Sequence, residues 1–100
     1  MAFEIQIHEL AEREIAALRA FDQRAILDAI EDQLRYQPTI ATRRRKCLSG
    51  VLPSFEHVIP IWELRVGQFR VFYDANEVLR QVHVRAVRRK PPTTQTKDIL

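Results

Sequence analysis

The amino-acid sequence predicts an α+β fold: an N-terminal strand, an α-helical hairpin, then an antiparallel three-stranded meander. Three features predict it. Apolar and polar residues alternate singly at the start, apolar residues then recur at three-and-four spacing as far as Leu34, and β-rich runs separated by turn residues dominate after Pro60. One hundred residues, 46% of them apolar, with two glycines and five prolines, are enough for one core and exclude both a disordered chain and two independent domains. Residues 1–100 are therefore read as a single domain.

Phe3, Ile5 and Ile7 alternate with Glu4, Gln6 and His8, as in a short strand with one buried face. From Glu9 the period changes. Ala11, Ile15, Leu18 and Phe21 line one side of an amphipathic helix, and Glu12, Arg13, Arg19 and Asp22 take the other. Asp22 is placed to cap a second helix whose Ile26, Ala29, Ile30 and Leu34 share a face. Tyr36-Gln37-Pro38 ends that helix, because the residue before a proline is pushed out of the helical region. With only a cap-like residue between them, the two helices fold back as a hairpin. Between Pro38 and Pro60 the periodicity fades, which predicts a long loop carrying Arg43-Arg44-Arg45-Lys46. Four adjacent cations repel one another, so this run is either solvated or held against phosphate.

Gly67-Gln68 between IWELRV and FRVFYD signals a two-residue hairpin, since glycine readily takes the positive φ that such a turn needs. In that register Val66 opposes Phe69, Leu64 opposes Val71 and Trp62 opposes Tyr73, and a slip of one residue would turn charges into the core. After a second turn near Ala75-Asn76-Glu77, Val82, Val84 and Ala86 continue the same apolar face. The opposite face pairs Arg65 with Arg70, brings His83 near Arg70 with Arg85 beside them, and carries Arg89 in the same parity. Like charges facing each other across strands destabilise a sheet. Either an external anion sits there, or Glu63 or an acid from the first half neutralises the cluster from within.

Charge is segregated along the chain. Met1 to Ala41 holds four Arg against eight Asp or Glu, a net of −4, whereas Thr42 to Leu100 holds twelve Lys or Arg against five acids, a net of +7. A cationic surplus on one part of a small protein suits a polyanion, either nucleic acid or an acidic protein segment. The chain is expected to be cytoplasmic with no membrane partner, because no run approaches the roughly 18 apolar residues of a membrane span and the start has no basic leader.

The residue inventory narrows the chemistry. The single cysteine, Cys47, cannot form an internal disulfide, and His8, His57 and His83 have no metal-ligand spacing, so neither a metal site nor a cofactor is expected. Ser49 and Ser54 lack a nucleophile-elbow context, and Gly50 and Gly67 alone cannot make a glycine-rich phosphate loop. Convergent arginines do suit phosphate, because a guanidinium stays charged and presents a planar fork to a phosphorane. RNA carries its own nucleophile in the 2′-hydroxyl, so cleavage needs alignment, proton removal and charge stabilisation but no metal. Arg65, Arg70, Arg85, Arg88 and Arg89 are candidates for the charge, and His83 for the proton. Arg43, Arg44, Arg45, Lys46, Arg85, Arg88 and Lys90 are candidate nucleic-acid contacts. Trp62, Phe69 and Tyr73 are assigned to the core, whereas Phe72 falls on the basic face, where it either packs or stacks on a base.

WELRVGQFRVFYD at 62–74, preceded by RKCLSG and followed by VHVRAVRRK, resembles the RelE/ParE superfamily of bacterial toxins over essentially the whole chain. The resemblance implies the toxin of a type II toxin-antitoxin pair, neutralised by a cognate antitoxin. RelE-like members cut ribosome-bound mRNA and ParE-like members poison DNA gyrase; the expectation here is inhibition of translation by metal-independent mRNA cleavage on the ribosome, with a gyrase inhibitor or a degenerate, antitoxin-binding module as the alternatives. In the RelE-like branch arginines on the third strand and near the end of the fourth stabilise the scissile phosphate, and by position these match Arg70 and Arg89. The branch's second-strand lysines meet Ile61-Trp62-Glu63-Leu64-Arg65 here, and its C-terminal tyrosine has no counterpart in Pro91-Pro92-Thr93-Thr94-Gln95.

Overall fold

A computed structural model describes all 100 residues. Strand β1 (Glu4–Ile7) leads into α1 (Glu9–Ala16) and α2 (Ala20–Leu34), followed by β2 (Arg45–Cys47), β3 (Trp62–Val66), β4 (Phe69–Asn76), β5 (Gln81–Arg89) and a 3-10 turn at Thr96–Asp98. The expected strand, helical hairpin and meander are all present. They belong to one five-stranded sheet of order β1-β5-β4-β3-β2, in which β1 runs parallel to β5 and the other pairs are antiparallel. No helix is long and apolar enough to cross a membrane.

The helices cover one face of the sheet. Ala11 and Ile15 of α1 and Ile26, Ala29, Ile30 and Leu34 of α2 pack with Leu64, Val66, Phe69, Val71, Tyr73, Val82 and Val84. Each fully buried aliphatic side chain of this set contributes about 1.5–3 kcal/mol. Tyr73 is wholly buried, and its hydroxyl donates to the Pro38 carbonyl, so the one polar atom that this ring brings into the core is satisfied. Two helix details differ from the sequence reading. Helix α2 starts two residues before Asp22, with Arg19 at its N-cap, and Asp22 instead takes an ion pair from Arg19. Phe21 consequently belongs to the first turn of α2 and points outward, 74% exposed.

The β3–β4 hairpin has the expected register: Val66 faces Phe69, Leu64 faces Val71, Trp62 faces Tyr73 and Arg65 faces Arg70. Gly67 sits in the turn at φ 58°, where a side chain would be strained. The stretch expected to be a long loop contains β2, whose Arg45, Lys46 and Cys47 pair with Leu64, Glu63 and Trp62.

A bulge sets the rest of the geometry. Phe72 pairs with Ala86 but Tyr73 pairs with Val84, so Arg85 is an extra residue in β5 and every side chain after it changes face. Ala86, expected in the main core, packs instead with Phe72, Phe55 and Ile61 in a second, smaller core on the far side of the sheet, and Val87 takes the main-core place. The segment after β2 and the C-terminal residues Ile99 and Leu100 cover that far side. Phe72 is therefore fully buried, with its ring centroid 5.8 Å from that of Phe55, and is packed rather than free to stack on a base.

Candidate functional site

The bulge decides which cations meet. Past it, Arg88 faces Arg70, whereas Arg89 faces Phe69. The expectation that Arg89 shares the face of Arg70 is thus overturned. Its guanidinium lies 4.7 Å from the Phe69 ring centroid, on the helix side of the sheet, and lines a cleft with Leu18, Phe21 and Val66. His83 also lies elsewhere than expected. It faces Asp74, not Arg70, and its Nδ1 is 2.8 Å from Nε2 of His8.

Much of the expected basic face is neutralised from within. Arg70 and Glu63 form a buried pair, Nε to Oε1 3.1 Å, and Arg70 Nη1 donates to the carbonyls of Gly67 and Phe69. Arg85, the bulged residue, is held by Asp74 at 2.7 Å and touches Glu56 at 3.3 Å. Arg88 lies 2.6 Å from Glu14 of α1 and donates to the Ile99 carbonyl, with its guanidinium over the Phe55 ring. Both internal sources considered from sequence, Glu63 and an acid of the first half, are in use. A buried charge left without such a partner would cost several kcal/mol, which is the physical reason these carboxylates are where they are.

Arg45 is likewise structural in its contacts. The first residue of β2 points toward the helices, on the face of its partner Leu64, and is buried. Its guanidinium donates to the Ile40 carbonyl, the Gln33 carbonyl and Gln33 Oε1, tying the end of α2 to the sheet edge. Lys46 alternates to the opposite face, beside Glu63. Arg43 and Arg44 are exposed, and Arg44 Nε reaches the Arg65 carbonyl at 3.4 Å.

What remains open is a cleft of about 500 Å³ where β2, β3, β4 and the C-terminal segment meet. Arg43, Arg45, Lys46, Arg65, Arg70 and Lys90 line it, with Thr42, Thr96 and a single carboxylate, Glu63. Glu63 is engaged at both oxygens, by the ion pair with Arg70 at Oε1 and by Thr96, which donates to Oε2 at 2.9 Å. Through Lys46, Lys90 and Thr96 the cleft adjoins a second, of about 710 Å³, to which Lys97 adds another cation and no residue adds an acid. Arg65 and Lys46 are exposed and Lys90 is half-buried, so their charges face solvent. Neither cleft is lined by a histidine or a tyrosine.

Of the sequence-derived candidates, the cleft gathers Arg65, Arg70, Arg43, Arg45, Lys46 and Lys90. It leaves out Arg89 on the helix side, Arg44, which reaches the Arg65 carbonyl, and His83, Arg85 and Arg88, which hold internal partners. Thr96 and Lys97 were missed; they lie in a proline- and threonine-rich tail without periodicity, and only the fold returns that tail to β2. Also missed was the approach of His8 to His83, which the parallel β1–β5 pairing produces between residues 75 positions apart.

No family model and no curated protein matches the chain. Solved structures do share its fold. A chain of the toxin-antitoxin complex RelBE2 from Mycobacterium tuberculosis is similar at 20% identity and a TM-score of 0.71, covering 90% of this chain and 100% of that one. A chain of the archaeal RelE-RelB complex from Pyrococcus horikoshii is similar at 19% identity and the same TM-score of 0.71, covering 93% and 100%. The resemblance read from WELRVGQFRVFYD thus has its counterpart in the fold.

Proposed function

We propose that this protein is the toxin of a toxin-antitoxin pair and that it acts on the phosphodiester backbone of ribosome-bound mRNA through the cation-lined cleft. The observation that carries this reading is a cleft in which Arg43, Lys46, Arg65, Arg70 and Lys90 outnumber a single carboxylate, Glu63, on a fold shared with chains of two RelB–RelE complexes. In the reaction the RNA 2′-hydroxyl, losing its proton to solvent water, attacks the adjacent phosphorus in line, the P–O5′ bond breaks with the 5′-oxygen taking a proton from water, and a 2′,3′-cyclic phosphate forms. On this reading Arg65 and Arg70, which line the cleft, stabilise the charge on the phosphorane, and Lys46, Lys90 and Arg43 hold flanking phosphates. Glu63 stands where the RelE-like branch is expected to carry a lysine, and Lys46, its cross-strand partner, brings a cation to the same place from the next strand. Arg89 and His83 have no part in this cleft.

The antitoxin expected on this reading is an acidic segment that orders as it covers the same cations. A second reading draws on a specific observation: the cleft offers charge and alignment but no imidazole or phenol to move a proton. That inventory also fits a toxin that binds without cutting, whether a gyrase inhibitor or an antitoxin-binding module. Purified protein added in parallel to a translation reaction with end-labelled mRNA and to a gyrase supercoiling reaction separates these. The proposal expects mRNA cut within ribosome-protected stretches and supercoiling untouched. Lost supercoiling with intact mRNA would overturn it in favour of gyrase, and no effect on either would favour a binding module.

A further inference from the structure

His8 and His83 sit at the opposite edge of the sheet from the cleft, and nothing in the proposed reaction uses them. His8 is the N-cap residue of α1, its backbone N–H donates to the Val84 carbonyl at 3.0 Å, and its ring meets that of His83 with Nε2 to Nδ1 2.8 Å. On its other side, His8 Nδ1 lies 3.4 Å from Arg85 Nη1. A guanidinium N–H can only donate, so His8 Nδ1 carries the lone pair and the proton of neutral His8 is on Nε2. That N–H donates to His83 Nδ1, which leaves the His83 proton on Nε2. Every position in the pair is then assigned.

An added proton has no place that keeps both contacts. On His8 Nδ1 it points an N–H at the Arg85 guanidinium; on His83 Nδ1 it sets two N–H groups against each other. The surroundings add to this. Arg85 and the positive end of α1 disfavour a cation at His8, while Asp74 and Glu56, which face the cluster from β4 and from the segment before β3, favour one. His57, in the same segment as Glu56, is turned onto the Phe55 carbonyl. Burial comes first among the causes that hold the His8 ring toward its neutral form, ahead of Arg85 and His83.

We propose that His8 and His83 form a proton-operated clasp: neutral, they lock the N-terminal edge strand onto β5, and uptake of one proton in mildly acidic solution releases it. The strand is suited to local release, being four residues long, at a sheet edge and paired on one side only. The same event reaches the segment before β3, because Arg85 also holds Glu56, and Asp74, which pairs Arg85, accepts from the Val58 N–H.

Amide hydrogen exchange on the full-length protein, corrected for intrinsic rates, tests this at pH 7.5 and pH 5.5. Protection of the β1 amides and of His8 N–H is expected to fall about three- to tenfold at the lower pH, the loss of one hydrogen bond, with β3–β4 amides unchanged. His8→Ala should abolish that pH dependence, and His83→Ala, which leaves Arg85 facing His8, should reduce it. Constant β1 protection in the native protein, or an equal fall in either variant, would overturn the proposal. Should the variants not fold, ring-nitrogen NMR of the native protein decides: the two rings are expected to shift together with uptake of a single proton. Two independent titrations would overturn the clasp.

Discussion

Replacing Glu63 by Gln isolates the balance between stability and charge in the cleft. Glu63 and Arg70 side chains are 6% and 7% exposed, with 3.1 Å between Oε1 and Nε, so the substitution leaves a buried guanidinium without its counter-charge. Breaking a buried pair in this way costs about 3–5 kcal/mol. Two features reduce it: Arg70 Nη1 keeps the Gly67 and Phe69 carbonyls, and the glutamine oxygen can still accept from Thr96. A loss of about 2–3 kcal/mol is therefore expected, which for a domain of this size lowers Tm by roughly 10–20 °C. The single tryptophan, Trp62, is buried in the main core, so urea unfolding can be followed by its fluorescence. The same variant adds one net positive charge to the cleft and should bind a short RNA more tightly, with a steeper salt dependence. Glu63→Gln with Arg70→Met removes both charges and should recover much of the stability but not the added affinity. A single variant as stable as the native protein to within about 0.5 kcal/mol would refute the reasoning, because it would mean the pair is effectively solvated.

Other substitutions test separate parts of the account. Arg45→Met keeps the aliphatic stem but removes the donors to Gln33 and Ile40, and should cost about 2 kcal/mol in the same unfolding assay without changing the depth of the β3–β4 register. Arg89→Ala should leave RNA affinity and toxicity unchanged, since this residue faces the helix side; growth-arrest assays in which it alone abolishes toxicity would return Arg89 to the site. Burial holds the Tyr73 hydroxyl protonated well above the ordinary tyrosine range. Because the folded state retains that proton, its stabilising effect is complete below about pH 10 and is lost as the pH rises further. Tyr73→Phe should accordingly leave the tyrosinate absorbance that the folded protein develops up to about pH 10 unaltered, and a reduced amplitude there would contradict the burial argument.

The parts of the fold that followed from local periodicity were legible. Single alternation and Gly67 defined the β3–β4 register residue by residue, and Ile26, Ala29, Ile30 and Leu34 identified the buried face of α2. The bulge left only a small mark, the adjacent apolar pair Ala86-Val87, at which strict alternation stops. Reading through that mark put Arg89, not Arg88, beside Arg70. Strand β2 was illegible because its three residues include two cations, and its pairing with β3 is a tertiary preference that propensity does not carry. Within the site, the clustering of second-half cations was visible, whereas their neutralisation was not. Glu14 to Arg88 and His8 to His83 are contacts across more than seventy positions, set by how α1 and β1 run along β5. Arg70 and Arg65 came from local pairing and remained together; residues placed by carrying parity past the bulge did not.

The most direct test of the central claim is the salt dependence of single-stranded RNA affinity for the native protein against Lys46→Ala/Arg65→Ala/Lys90→Ala, all three being open to the cleft without a carboxylate partner. Removing three phosphate contacts should weaken binding at low salt and reduce the slope of log K against log salt by about 2, at roughly 0.7 per contact for a single strand. Equal affinities and equal slopes in folded proteins would contradict the claim that this cleft is where the polyanion sits.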